Sequence, residues 1–452
     1  MCYKVSKYNY IVKLNNEWFL LFNSLKGRKS LYKVRRTDTS VLKYITQKDS
    51  ITEENQITQK LLQAGFLIPR DYDEDQEIQE IFNQKVNDRT LNLIVAPTGS
   101  CNLRCKYCCE DLNTGKMSKE VQESIIQYID KNISKYSSVN IDWFGGEPLL
   151  AMDVIENISK KVIEICKREK KQYSSFITTN GTLLTLGVFK KLYQFHVVRY
   201  QITIDGTRDI HDQQRVTSSM QPTFERIINN LKQIKNSNVG KHAVIMILTN
   251  YSDVMKDSIK EYKEFFSENF GDDKRFKYSC NIIMNLGGTR IEEYKQYLVG
   301  SQQMNYLYEQ IIACEDTKLD YIYEEFLEPG SQLCYAAKKN SYLIGEDGCV
   351  YKCEHQYQIL KDKPIGRLKN DGEMVLESDS RLWDGKFNYC KSETCKLKPL
   401  CLGEDCIKKR VETGNTIQYG EKCQYRECHF YKPTLEAVLK LIAHERNIVK
   451  EF

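Results

Sequence analysis

Cys101, Cys105 and Cys108 stand in the spacing Cys-x3-Cys-x2-Cys inside the stretch CNLRCKYCCED, with Cys109 directly behind them. Zinc sites usually open on paired C-x2-C knuckles, and thiol redox motifs are a lone C-x-x-C, so neither chemistry suits this spacing. Three thiolates on one loop can instead hold three irons of a [4Fe–4S] cluster. Structural clusters are held by four cysteines, so three leave one iron open for a ligand. The chain has 17 cysteines in 452 residues. Cys2, Cys166, Cys280 and Cys314 are scattered and read as small buried hydrophobes, while the rest fall in two groups, 101–109 and 334–428. An odd count in a large chain, with no signal-peptide pattern in MCYKVSKYNY, argues for metal rather than disulfides and for the reducing cytoplasm as the expected location.

The wider composition excludes two classes of partner. Lys and Arg number 66 against 61 Asp and Glu, a net charge of +5, too small over this length to argue for nucleic-acid binding. No apolar run approaches the roughly 18 residues of a membrane span, so no membrane partner is expected.

The elements that must position the cysteine loop come from the stretch 91–286, where apolar strand-like runs alternate with amphipathic ones. Strands are expected at 91–97, 139–144, 174–180, 197–204, 243–250 and 276–286, with helices at 118–134, 151–169, 184–195, 222–237 and 253–269. Six strands alternating with helices predict parallel βα repeats. In such folds the chemistry sits on the loops after the C-terminal ends of the strands, and the cysteine loop follows the first strand. Residues 1–75 read as a separate module with short β runs and two helices, and 76–90 as a linking helix. Residues 291–330 look helical. From 331 the chain is poor in regular pattern and rich in cysteine, so metal is expected to replace part of its core. An amphipathic helix near 432–448 closes the chain.

Cys-x3-Cys-x-aromatic-Cys, with Tyr107 at the aromatic position, resembles the signature of the radical S-adenosylmethionine (SAM) enzymes, in position as well as spacing. That resemblance implies an α/β fold built on a partial (β/α)6 TIM-type barrel, with SAM on the open iron as the source of a 5′-deoxyadenosyl radical. Other strand ends agree. WFGGEPLL after the second strand resembles the family's GGEP motif: Gly145 and Gly146 would let backbone approach the methionine part of SAM, Glu147 would accept from its ammonium group, and Pro148 completes the motif. TTNGTLL after the third strand places Asn180 near SAM, ITIDG after the fourth aims Asp205 at the site, and IHDQQR brings Arg215 to pair with the SAM carboxylate. Asn250 is a weaker candidate. Asp205-Gly206 alone is a common turn pair, and His211 alone reads as a helix-start residue. Cys109 falls outside the pattern and reads as a neighbour of the ligands.

The later cysteines resemble the SPASM extension of a radical SAM subgroup, which holds two auxiliary [4Fe–4S] clusters, three with the SAM cluster. The resemblance implies Cys334, Cys353 and Cys406 for auxiliary cluster I. It implies Cys390, Cys395 and Cys401, with Cys423 or Cys428, for auxiliary cluster II. Both outer gaps of the central series are stretched to four residues, and Cys349 is an extra thiol, so cluster I has either a fourth protein ligand or an open iron.

Residues 1–75 resemble the winged-helix recognition element that precedes many SPASM enzymes and binds the leader of a ribosomally made precursor peptide by strand addition. The FN strand end and the exit LLQAGFLIPRDYDE carry that likeness. The basic run Lys26, Arg28, Lys29, Lys33, Arg35 and Arg36 could meet an acidic leader or simply form a solvated face. The resemblance implies a peptide maturase with a precursor peptide and a flavodoxin or ferredoxin as partners. Thioether formation from a peptide cysteine is the expected reaction. Carbon–carbon crosslinking of the streptide type is the alternative, and a sulfatase-maturating formylglycine synthase a remoter one. A non-catalytic iron–sulfur or zinc scaffold would have no need of the GGEP, Asn180 and Arg215 contacts.

Overall fold

A computed structural model describes residues 2–47, 50–110, 112, 115–255, 258–283, 285, 289–298, 327–387, 395–403, 406–412, 432–443 and 449–452. Cys314, Cys390, Cys423, Cys428 and most of the expected bridge 291–330 lie outside them. The chain divides into two compact units. One comprises Met1–Asn87, Lys318–Lys338 and Gly385–Phe452, and the other Asp88–Thr317 and Lys339–Asp384. The stretch 331–430, expected as one metal-stabilised domain, is thus shared between them.

The first unit opens with β1 (Tyr3–Val5), β2 (Asn9–Lys13), β3 (Trp18–Asn23) and β4 (Tyr32–Arg35), and β5 (Leu67–Pro69) returns antiparallel to β1. Strands β2, β3 and β4 form an antiparallel meander. Helices Thr39–Thr46 and Gln56–Gln63 follow β4. Asp38 caps the first, and Asn55 caps the second in a reciprocal box with Thr58, which satisfies backbone donors that a bare helix start would leave orphaned. Val34, Val41, Ile45, Leu61 and Phe66 share their core.

The FN strand end proves to be the hub of this unit. Fully buried Asn23 donates its side-chain amide to Ser6 Oγ (2.8 Å), Asn9 Oδ1 (2.7 Å) and the Gly65 carbonyl (3.0 Å). Its Oδ1 accepts from the backbone N–H of Leu25 (3.0 Å) and Lys26 (3.1 Å). Asn23→Ala strips partners from several buried groups, at about 1–3 kcal/mol per group left unsatisfied. An earlier thermal transition is the expected outcome, measured by calorimetry.

In the second unit six parallel strands run in sequence order: β6 (Thr90–Val95), β7 (Ser138–Trp143), β8 (Gln172–Thr179), β9 (Val197–Thr203), β10 (Val244–Tyr251) and β11 (Phe276–Ile282). Each expected strand is present within a few residues of its sequence bounds. Helices return the chain between them; in Met152–Arg168, Val154, Ile155, Ile158, Val162 and Ile165 line the buried face at the spacing an amphipathic helix requires. The parallel run does not close on itself. Strand β12 (Ser341–Ile344) adds parallel to β6, and β13 (Cys349–Tyr351), β14 (Gly366–Leu368) and β15 (Met374–Leu376) extend the sheet to ten strands by antiparallel pairing. Strands of three or four residues hid this extension in a stretch that reads as irregular.

Candidate active site

The cysteine loop leaves the end of β6 and is pinned from two sides. On one side it pairs with the segment after the helix Arg208–Gln214. Arg104 N–H donates to the Val216 carbonyl (2.8 Å), Lys106 N–H to the Gln214 carbonyl (3.0 Å), and Ser218 N–H to the Asn102 carbonyl (3.2 Å). This short antiparallel ladder sets Cys105 opposite Arg215. On the other side the GGEP turn after β7 grips the loop's start, with Gly146 N–H on the Thr98 carbonyl (3.2 Å) and Glu147 N–H on the Ser100 carbonyl (2.9 Å).

The two glycines serve this grip. Gly145 has φ +105°, and a Cβ there would lie 2.5 Å from the Thr98 oxygen; at Gly146 it would lie 2.4 Å from the Ser100 oxygen. The two glycines thus allow a close approach to the backbone of the cysteine loop. Backbone cannot turn aside as a side chain can, so Gly146→Ala is expected to push the cysteine loop away. Iron bound per chain after anaerobic reconstitution should fall, with circular dichroism unchanged.

Glu147 is fully buried and already engaged: its carboxylate accepts from Leu149 N–H (3.0 Å), Thr179 Oγ1 (2.7 Å) and Asn180 N–H (2.8 Å). It ties the turn after β7 to the end of β8, and Pro148 starts the short helix that this carboxylate caps. Asn180 works in the same way on the other neighbour. Its amide nitrogen donates to Asn102 Oδ1 (2.9 Å) and lies 3.8 Å from Cys101 Sγ, while its oxygen accepts from Thr182 N–H (2.9 Å). Asn102 in turn donates to Thr182 Oγ1 (2.9 Å).

Across the loop lies a polar cluster centred on the Tyr107 hydroxyl. It donates to Asp205 Oδ2 and accepts from an Arg215 terminal nitrogen (2.7 Å) and from Asn250 Nδ2 (3.2 Å). Arg215 also lies 3.8 Å from Asp205, and both are buried. Burial alone would favour a neutral Arg215, but its acidic neighbours, the Asp205 carboxylate among them, outweigh it and hold the guanidinium protonated.

Sequence reading left out His211, and the structure supplies its function. The Asp205 N–H donates to its Nδ1 (3.2 Å), so the proton sits on Nε2 and faces Thr223 Oγ1 (3.0 Å), which donates onward to the Arg215 carbonyl (2.6 Å). Burial pushes His211 well below its usual range, which keeps this neutral form. The ring thus links the two site residues Asp205 and Arg215 through hydrogen bonds a single sequence does not reveal. Tyr294 is a second addition: its ring stands edge-on to Tyr107 at 5.9 Å and its hydroxyl bonds Gln214 and Ser252.

The donor set fits an iron–sulfur cluster. All three thiols are unpaired in disulfides. Burial pushes Cys101 up to about 12 and raises Cys105 and Cys108 as well, with the Arg215 charge opposing the rise at Cys105. Buried thiols of that kind become ligands when a metal replaces the proton. Arg215 Nε is buried without a hydrogen-bond partner among the described residues, a donor suited to an anionic group. Cys109 points elsewhere, its thiol 3.4 Å from Gln358 Oε1.

The later cysteines are distributed over both units. Cys353 caps the helix Glu354–Ile359 by accepting from Gln356 N–H (3.3 Å), and Cys349 lies 3.0 Å from an Arg367 nitrogen, both in the barrel unit. Cys334, Cys395, Cys401 and Cys406 belong to the other unit. There Gly330 N–H and Gln332 N–H bond the carbonyls of Pro399 (2.9 Å) and Leu400 (3.0 Å), bringing the approach to Cys334 onto the helix Lys398–Cys401. Lys396, beside Cys395, donates from Nζ to the Asn9 carbonyl (2.7 Å) and accepts at its own carbonyl from Ser24 Oγ (2.5 Å). Among the described residues no three His, Cys, Asp or Glu side chains converge as for a single metal ion.

Residues 95–262 match the profile of the radical SAM superfamily. The radical SAM cyclopropyl synthase TigE of Paramaledivibacter caminithermalis is 26% identical, over 99% of this chain and 97% of its own length. A cysteine-type anaerobic sulfatase-maturating enzyme of Clostridium novyi is 23% identical over 79% of this chain and all of its own length. Among solved structures, native anSMEcpe with bound AdoMet and Cp18Cys peptide superposes with a TM-score of 0.53 at 18% identity, over 78% of this chain and 96% of that one. The last likeness bears on the fold alone. No helix among the described residues is long and apolar enough to cross a membrane.

Proposed function

From a chain whose residues 95–262 are a radical SAM domain, we propose an enzyme that removes a hydrogen atom from a carbon of a peptide substrate, after which that carbon forms a new bond. The observation that carries this reading is the backbone ladder that sets Cys105 opposite Arg215 at the C-terminal end of the parallel strands. Cys101, Cys105 and Cys108 would hold the cluster. A [4Fe–4S] cluster with SAM supplies, when bound, a 5′-deoxyadenosyl radical able to take hydrogen from carbon. The chain's own part is positioning. Arg215 offers a buried cation and an unpartnered donor for the SAM carboxylate, Asp205 and Tyr107 hold that cation in place, and Asn180 and Glu147 fix the loops around it.

A peptide substrate is supported by the antiparallel meander β2–β3–β4 of the first unit, which suits strand addition, and by the anaerobic sulfatase-maturating relatives. Thioether formation is the first reading of the new bond, since an open iron on auxiliary cluster I could bind a substrate thiolate. The relative that spans both chains is a cyclopropyl synthase, which favours a second reading, closure of a carbon–carbon bond. Auxiliary clusters on the later cysteines, which would take the second electron as the partner atom gives up its proton and the bond forms, and a flavodoxin or ferredoxin donor belong to the same proposal, with the cytoplasm as its location.

The test is anaerobic reconstitution with reductant, SAM and candidate precursor peptides drawn from any short open reading frames that neighbour the gene. Production of 5′-deoxyadenosine together with a peptide lighter by two hydrogens supports the reading. Alkylation of the product then separates the two bonds, because a thioether consumes a cysteine thiol and a carbon–carbon bond leaves every thiol reactive. Formation of 5′-deoxyadenosine with no change in peptide mass sinks the peptide claim.

A further inference from the structure

The last of the six parallel strands brings a second arginine to the cysteine loop. Beyond β11, Ile283 N–H donates to the Tyr251 carbonyl (2.9 Å), and the short helix Thr289–Tyr294 follows. Ile291 and Tyr294 of that helix are buried together with Ile283, and Tyr107 packs against the group. The Tyr294 ring stands edge-on to Tyr107 at 5.9 Å, and its hydroxyl is fixed by Gln214 (2.6 Å) and Ser252 (2.8 Å). Tyr107 lies between Cys105 and Cys108, so the helix is docked on the loop that carries the candidate ligands. Arg290 stands four residues before Tyr294, on the same face of the helix.

Arg290 Nη1 is buried with no hydrogen-bond partner among the described residues, and the charge of the side chain reaches the loop. Burial raises Cys105, and the charges of Arg215 and, less strongly, Arg290 oppose that rise while Asp205 adds to it. Glu110, at the loop's exit, is raised by burial and lowered by its bond from Gln358 and by the charges of Lys361 and Arg290. The two arginines differ in how they are matched. Arg215 lies 3.8 Å from buried Asp205 and donates to Tyr107 (2.7 Å), so a carboxylate answers much of its field. Glu110, the carboxylate that feels Arg290, accepts instead from Gln358 Nε2 (2.9 Å). Arg290 thus presents the less compensated positive charge beside the loop.

We propose that Arg290 is the fixed charge that sets how readily a cluster on Cys101, Cys105 and Cys108 is reduced. The proposal rests on the cluster reading above and adds to it a residue beyond the matched profile, which ends at 262. One electron enters from the flavodoxin or ferredoxin donor, and no bond of the protein changes. That electron adds a negative charge to a group already held by thiolates. A cation nearby stabilises the reduced form more than the oxidised one and raises the potential, since net charge is one of the levers that set it. At an effective dielectric of about 20, a unit charge roughly 10 Å away shifts a charge-changing equilibrium about tenfold. The part of Arg290 is electrostatic, exerted through the cluster and not on the substrate.

The test is an anaerobic redox titration of the reconstituted full chain without SAM, followed by the paramagnetic resonance of reduced [4Fe–4S] clusters. The component to follow is the one missing from Cys105→Ala protein. Arg290→Gln removes the charge and should lower the midpoint by about 59 mV, the one-electron equivalent of a tenfold change in the oxidised-to-reduced ratio. Arg290→Lys keeps the charge and should stay near the wild-type midpoint, with equal iron content in all three proteins. A wild-type midpoint in Arg290→Gln overturns the proposal. So does a midpoint in Arg290→Lys as low as that of Arg290→Gln, which makes bonding geometry the cause in place of charge. Loss of iron from both variants overturns it too, because Arg290 then holds the loop itself. Failure of the underlying cluster reading looks different: every signal of the wild type survives in Cys105→Ala, and this proposal falls with it.

Discussion

Replacing Cys101, Cys105 or Cys108 by alanine, one at a time, is expected to reduce 5′-deoxyadenosine production to background, while Cys109→Ala retains it. The contrast follows from where the four neighbouring thiols sit. Cys101 and Cys105 lie on the stretch clamped between the GGEP turn and the 214–218 segment, and Cys108 closes the turn, with its N–H on the Cys105 carbonyl (3.2 Å). The Cys109 thiol is turned to Gln358 Oε1 at 3.4 Å. Burial raises the three candidate ligands, so without metal they remain neutral thiols and contribute nothing ionic to the loop. Each alanine therefore removes a ligand with little effect on the apo fold. Two readouts separate loss of the cluster from unfolding. Visible iron–sulfur absorbance and iron content should fall in the three ligand variants and stay level in Cys109→Ala, while the thermal transition of the apo protein stays level in all four. A Cys109→Ala variant that loses iron as severely as the others would overturn the assignment.

Much of the barrel was legible because parallel strands buried on both faces write themselves as apolar runs separated by amphipathic helices. The cysteine loop, the GGEP turn, Asn180, Asp205 and Arg215 were legible as strand-end residues in the right order. What those residues touch was not. The hydrogen bonds by which Glu147 and Asn180 tie neighbouring loops together were not legible, because the partners a buried carboxylate or amide needs lie far apart in sequence. His211 was passed over since a lone histidine at a helix start carries no periodicity; its value lies in the bond it accepts from Asp205 and the one Thr223 relays to Arg215. Strands β12 to β15 escaped for another reason: they are three or four residues long, shorter than the pattern by which a strand is recognised. Asn23 shows the intermediate case, where FN was visible as a strand end but three of its five side-chain bonds depended on Ser6, Asn9 and Gly65, far apart in sequence.

Arg215 gives the second large effect, and two substitutions there divide charge from geometry. The guanidinium is 7% exposed and Asp205 is 0% exposed, so solvent does little to screen them. Removing one partner of a buried pair typically costs about 3–5 kcal/mol because the other charge is stranded. Asp205 keeps the Tyr107 hydroxyl and the Asn250 N–H (3.0 Å), which places Arg215→Ala toward the lower end, about 3 kcal/mol, or roughly a hundredfold at 1.4 kcal/mol per decade. That loss should appear as an earlier thermal transition, and SAM binding should weaken separately through the missing carboxylate contact. Arg215→Lys keeps a cation near Asp205 but loses the fork: an ammonium cannot bond Tyr107 and also present the fixed second donor that Arg215 Nε provides. Its thermal transition should stay near wild type while SAM binding, measured by equilibrium dialysis on reconstituted protein, weakens about tenfold, the cost of about one charge-assisted hydrogen bond. If lysine restores full affinity, a point charge suffices and the buried Nε has no part in holding SAM. If lysine destabilises the protein as alanine does, the role of Arg215 is to hold Tyr107 and Asp205, and the SAM carboxylate must be bound elsewhere.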